Sequence, residues 1–222
     1  MENIRYRYNQ QMKEILDELI VRYPALECCK EQVARAADIL VDAFSHDAKL
    51  LTAGNGGSAA DAEHIVGEMM KSFCLQKTLP SGYAEALYAT DPEMGSVLRS
   101  HLQGALPAIA LDGHISLSTA YMNDCEPLLC FAQQVNGYGR PGDVLLGIST
   151  SGNSRNILYA AVAAKARGMK VIGLTGARDN RLEKFSDVCI KVPETETFKV
   201  QELHLPVYHC LCLMVEKHFY GN

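Results

Sequence analysis

Four groups of residues in this sequence have the composition for chemistry. The first is the run Gly54-Asn55-Gly56-Gly57-Ser58, where glycines let backbone amides approach a ligand closely and Ser58 falls at the expected N-cap of a helix. The second is Ser149-Thr150-Ser151-Gly152-Asn153-Ser154. Four hydroxyls, a glycine and a following helix N-terminus make an anion cradle, because free amides and the helix dipole both favour phosphate. Neither run has the spacing G-x-G-x-x-G or contains G-K-[ST], so a standard nucleotide motif is absent. Ordinary strand–helix turns also favour Gly, Ser and Asn. Two such loops in one chain nevertheless point to a phosphorylated small molecule.

The third group is His64 and Glu68, whose i, i+4 spacing puts an imidazole and a carboxylate on one helix face, within about three turns of the glycine loop. The fourth is Gln201, His204 and His209 in VQELHLPVYHC. Pro206 removes one helical hydrogen bond there, so Gln201 and His209 are expected to span a kinked turn. Spacing alone leaves open whether His64, Glu68, Gln201 and His209 share one site or whether the histidines pack in the core.

These groups need elements to position them. Short apolar runs at 49–53, 107–111, 144–148, 170–174 and 188–192 are bounded by Gly, Asp or Pro, as strands covered on both faces are. Helical periodicity lies between them, clearest at 154–167, where Gly168 supplies the stop. The alternation predicts an α/β fold with a parallel sheet. In such a sheet ligands bind beyond the carboxyl ends of the strands, where both loops fall. Two amphipathic helices, 8–22 and 31–44, precede the first strand as a hairpin that covers the sheet or meets another subunit. Residues 73–104 are the least regular stretch, with a helical pattern only at 94–102; a lid, a subunit contact and a surface insertion are all compatible with it.

Composition narrows the function classes. The 222 residues carry 21 basic and 26 acidic side chains, a formal net charge of −5, without the cationic surplus a nucleic-acid binder uses. No apolar run approaches a membrane span, and the polar N-terminus has no signal-peptide core, so a cytoplasmic protein is expected. The eight cysteines lack a C-x-x-C pair and sit mostly among apolar neighbours, which predicts free, buried thiols.

The strings AGNGGSAADAEHIVGE, GRPGDVLLGISTSGNSRNIL, GMKVIGLTG and VQELHLPVYH, in this order, closely resemble the phosphoheptose isomerases of the sugar isomerase (SIS) domain family. The resemblance runs from about Lys49 to Val215 and is interrupted at 73–104. It implies a single SIS domain over 1–222: a three-layer α/β sandwich around a five-stranded parallel sheet, with an N-terminal helical hairpin at 1–45 and an insertion at 73–104. It implies phosphate binding by Ser149, Thr150, Ser151 and Ser154, and sugar contacts from Asn55, Gly56, Gly57, Asn123, Asp124 and Gln201. It further implies zinc held by His64, Glu68, Gln201 and His209, with Glu68 and His209 as the acid–base pair, in a homotetramer with sites at subunit interfaces.

The implied reaction converts sedoheptulose 7-phosphate to D-glycero-D-manno-heptose 7-phosphate through an enediol. Two other readings are an isomerase of another phosphorylated ketose and a non-catalytic, phosphosugar-sensing or protein-binding SIS module. Members of a replication-initiator-associating branch of that last class can lack the Glu and the last His of the quartet, which this chain keeps as Glu68 and His209. Two departures stand out. The 73–104 segment is longer than the expected link, and Phe198 stands where some relatives carry Asp, which leaves Glu196 as the nearest acid.

Overall fold

The computed structural model describes the backbone of residues 2–221 and the side chains of residues 10–221. Five strands, β1 (Leu50–Ala53), β2 (Ala108–Ala110), β3 (Val144–Ile148), β4 (Lys170–Thr175) and β5 (Val188–Lys191), form one sheet in the order β2-β1-β3-β4-β5. Every neighbouring pair is parallel. Side-chain alternation along β3 explains the layering. Val144, Leu146 and Ile148 enter one core with α1 (Glu2–Arg22), α2 (Lys30–Ser45), α3 (Gly57–Met70) and α9 (Thr197–Tyr220). Leu145 faces the other core, built with α7 (Cys130–Tyr138) and α8 (Arg155–Ala166). This is the expected three-layer sandwich, with the helical hairpin in place; α1 begins at Glu2, earlier than periodicity indicated.

Strand order decides where a ligand can bind. β1 pairs with β2 on one side and β3 on the other. The helices that follow them, α3 and α8, pack on opposite faces of the sheet. The gap between the ends of β1 and β3 is therefore a topological switch point, and the glycine loop and the hydroxyl loop are its two walls.

Three local expectations are corrected. Residues 73–104 are not mainly irregular: α4 (Ser81–Thr90) and α5 (Pro92–His101) form a helical pair. They meet where Gly95 lies so close that a Cβ would stand 2.2 Å from the Leu87 carbonyl oxygen. The Asp91 side chain caps α5 by accepting from the Met94 amide, at 2.7 Å. Second, the N-cap of α3 is Gly56, at φ +56°, so Ser58 lies inside the first turn. Third, all eight cysteines are free, but Cys28, Cys74 and Cys125 are exposed. Cys28 is exposed even though its neighbours Leu26 and Cys29 enter the core, so apolar neighbours in sequence do not by themselves bury a thiol. α9 runs through Pro206 as one helix.

Two buried charges secure the end of α3. The Lys77 side chain is fully buried, and its ammonium donates to the carbonyls of Glu68 and Met69 at 2.7 and 3.0 Å. The Glu216 carboxylate, 3.8 Å from it, accepts the backbone amides of Phe73, Cys74 and Leu75. Lys77 thus satisfies helix-end carbonyls that the helix cannot. Glu216 fastens the chain leaving α3. Together they fix the turn that carries Glu68.

Candidate active site

The hydroxyl loop is braced on all sides. Ser149 is buried, and its Oγ lies 3.0 Å from that of Ser154, the N-cap residue of α8. Gly152, at φ +62°, donates its amide to the Ser149 carbonyl at 2.9 Å, and a Cβ there would stand 2.3 Å from Asn180. Only glycine adopts that backbone conformation at no steric cost, and only glycine leaves room for Asn180. The chain after β4 straps the loop from outside. Gly176 donates to the Thr150 carbonyl, Leu182 to the Gly152 carbonyl, and the Arg181 amide to Asn153 Oδ1. Thr150, Ser151 and Ser154 therefore surround a rigid turn at the positive end of α8, the geometry expected of a phosphate seat.

The glycine loop meets it through a residue that sequence reasoning missed. Asn55 Nδ2 donates to Asn156 Oδ1 at 3.1 Å, and Asn156 Nδ2 returns a bond to Asn55 Oδ1 at 2.7 Å. The only signal for Asn156 is an amide just inside the helix that follows the hydroxyl loop. Gly57 is the point where Gln201 comes in, since a Cβ there would stand 2.5 Å from Gln201 Nε2. Gln201 thus lies against the glycine loop.

Further along α3 the reactive groups gather. His64 Nε2 is 3.3 Å from Glu68 Oε1, and Lys71 Nζ donates to Glu68 Oε2 at 2.8 Å. The rings of His64 and His209 meet edge to face, with centroids 5.1 Å apart. Burial, followed by the neighbouring His64, pushes His209 below the usual imidazole range, so it is held neutral. Its Nε2 is buried with no hydrogen-bond partner. His209 also lines a cavity of about 200 Å³ between α1 and α9, with Arg22, Glu18 and Tyr23 among its walls.

Three of the four expected metal ligands, His64, Glu68 and His209, are therefore neighbours. Gln201 precedes His209 by eight residues, about 12 Å along α9. Among the described residues no group of three His, Cys, Asp or Glu side chains forms a ready cation site. Asn123 and Asp124 end α6 (Ile115–Asp124) exposed and hydrogen-bonded to each other at 2.8 Å, a pair that stands apart from the bonds joining the two loops. Phe198 is exposed in the first turn of α9, and Glu196 is paired with Lys199. His204 is fully buried and neither ring nitrogen makes a hydrogen bond, as in a packing residue.

Comparison with known proteins fits this geometry. The SIS domain model matches residues 7–90 and 90–176. The phosphoheptose isomerase of Rhodospirillum rubrum is 38% identical over 188 residues, covering 85% of this chain and 86% of that protein. That of Nitratiruptor sp. is 36% identical, over 93% of this chain and 97% of that one. Among solved structures, a phosphoheptose isomerase from Francisella tularensis superposes with a TM-score of 0.72 at 29% identity, covering 94% and 97% of the two chains. The enzyme of the same name from Neisseria gonorrhoeae gives 0.68 at 31% identity, covering 96% and 95%. The chain belongs to the SIS domain family and, within it, to the phosphoheptose isomerases.

Proposed function

We propose that this chain interconverts sedoheptulose 7-phosphate and D-glycero-D-manno-heptose 7-phosphate. The observation that carries the reading is the meeting of Glu68, His64 and His209 on facing turns of α3 and α9, helices that also frame the glycine loop at Gly57 and Gln201. In the ketose-to-aldose direction, one proton must leave carbon 1 and one must arrive at carbon 2. Glu68 takes the carbon 1 proton and returns it to carbon 2 of the enediol. His209, held neutral, carries the hydroxyl proton from oxygen 1 to oxygen 2. Lys71 holds one carboxylate oxygen of Glu68 and leaves the other facing His64. Ser149, Thr150, Ser151 and Ser154 bind the phosphate, while Asn55, Gly56, Gly57, Asn123, Asp124 and Gln201 serve the sugar.

By chemistry these donors suit zinc: two imidazoles, one of them presenting the partnerless His209 Nε2, and one carboxylate, three neighbours that are not yet gathered into a ready cation site. His64, Glu68 and His209 would hold it, with Gln201 as the fourth ligand that the resemblance implies. A zinc ion bound there would supply polarisation of the carbonyl and stabilisation of the developing oxyanion. A homotetramer with sites shared between subunits is part of the proposal. Glu68 stands eleven residues beyond Gly57, about 16 Å of helix rise, in keeping with a site in which one copy seats the phosphate and another supplies the carboxylate. The free thiols support a cytoplasmic location.

The test incubates purified protein with sedoheptulose 7-phosphate, with zinc added or chelated, and follows the aldose by NMR. Aldose that forms only with zinc supports both the reaction and the metal. Full turnover after chelation removes the zinc, and no turnover in either condition removes the reaction.

A further inference from the structure

Asp61, His64 and Glu68 occupy one face of α3, and Tyr208 of α9 lies against them. The Tyr208 hydroxyl lies 3.2 Å from Asp61 Oδ1 and 3.1 Å from His64 Nδ1. A phenol has a single hydrogen, so it donates to one of these neighbours and accepts from the other. Asp61 decides which. Its Oδ2 is buried with no partner, so among the described residues Tyr208 is the one side-chain donor within reach of this carboxylate. If Tyr208 turned its proton to His64, Asp61 would be left without any, and an unpaired buried carboxylate is more costly than a rotated hydroxyl. Glu68 faces no such shortage, because Lys71 already donates to it. Tyr208 therefore donates to Asp61 and offers only a lone pair to His64.

We infer that Asp61 and Tyr208 are positioning residues that keep the His64 proton on Nδ1 and turn its Nε2 lone pair toward Glu68. An imidazole lone pair then faces a carboxylate oxygen at 3.3 Å, two acceptors with room only for a cation between them. The importance of this relay rests on the proposed reaction centre, but the location of the proton does not.

The experiment is nitrogen-15 NMR of histidine-labelled, full-length protein in chelator and mildly alkaline buffer, with His64 assigned through His64→Gln. The expected result is a neutral His64 protonated at Nδ1 in the wild type, lost to a mixture of tautomers in Tyr208→Phe. The same variant should lose about 10–100-fold in kcat/KM, as loss of an outer-shell partner typically costs. A wild-type His64 that carries a proton on Nε2, in the neutral or the charged ring, overturns the inference. So does a Tyr208→Phe protein whose His64 stays in one tautomer. Should Tyr208→Phe fail to fold, the wild-type spectrum alone decides. Because the NMR measurement uses no substrate, its outcome is separate from that of the isomerase assay.

Discussion

Asn55 and Asn156 exchange two side-chain amide hydrogen bonds, 3.1 and 2.7 Å long, across 101 residues of chain. The pair joins the loop after β1 to the first turn of α8 and so locks the two walls of the switch point in one register. Asn156 also accepts its neighbour's amide, from Ile157 at 3.0 Å, which fixes the side chain before any ligand arrives.

Asn156→Ala is expected to separate the two loops without unfolding the chain, because the pair lies at the surface, with Asn55 exposed and Asn156 only half-buried. Net hydrogen bonds of about 0.5–1.5 kcal/mol each predict a loss in kcat/KM of roughly tenfold, borne mainly by KM. Steady-state kinetics on the phosphoketose check this, and a loss confined to kcat would contradict the coupling of the loops to substrate binding.

Glu68→Gln keeps the size of the side chain and removes the base. Turnover should fall by about 10²–10⁴-fold, the usual contribution of a positioned general base, with oligomer size and circular dichroism unchanged. Lys71 can still donate to the amide oxygen of the new side chain, so the end of α3 should hold its shape. Near-normal activity would take Glu68 out of the chemistry.

The sheet was legible because each strand is short and apolar throughout, and all five apolar runs match the observed strands to within one residue at each end. The hydroxyl loop was legible for a local reason: its side chains and the helix they precede are contiguous. Asn156, Tyr208, Asp61 and Lys77 were not, because each acquires its role from a partner far away in sequence or from a buried helix end. Tyr208 and Asp61 lie 147 residues apart, and nothing within either segment signals the other. Lys77 reads as a surface residue by type, and only the carbonyls at the end of α3 and the Glu216 carboxylate account for its burial. Helix α4 was missed because no apolar stripe marks it: none of its side chains is buried.

Lys77→Met tests that burial. Methionine fills the space but removes a donor from the Glu68 and Met69 carbonyls, leaving Met69 only the Leu106 amide, and takes the cation from Glu216. Breaking a buried pair on one side typically costs about 3–5 kcal/mol. Glu216 keeps three backbone amides, which places the expected loss near the lower end, about 3 kcal/mol in urea unfolding. A loss below about 0.5 kcal/mol, the range of surface substitutions, would show that the pair does not secure this turn.

Acid sensitivity should come in part from His204. Burial lowers its pKa from 6.5 to about 4. Between these values the unfolded chain binds the proton and the folded one does not, so stability rises with pH across the window and falls on acidification. The full cost, on the order of 3 kcal/mol, accumulates as pH drops from 6.5 to about 4 and is constant below. Asp112 works in the opposite direction: burial raises its carboxyl to about 6, so its contribution grows as pH falls from there toward 3.8. The two windows overlap, and the wild-type profile alone cannot separate them. The difference between wild type and His204→Leu can, because Asp112 is common to both. Relative to its own value at neutral pH, the variant should lose less stability by pH 4 than wild type loses. Parallel stability curves from neutral pH down to pH 4 would mean that His204 does not hold its proton off in the folded protein.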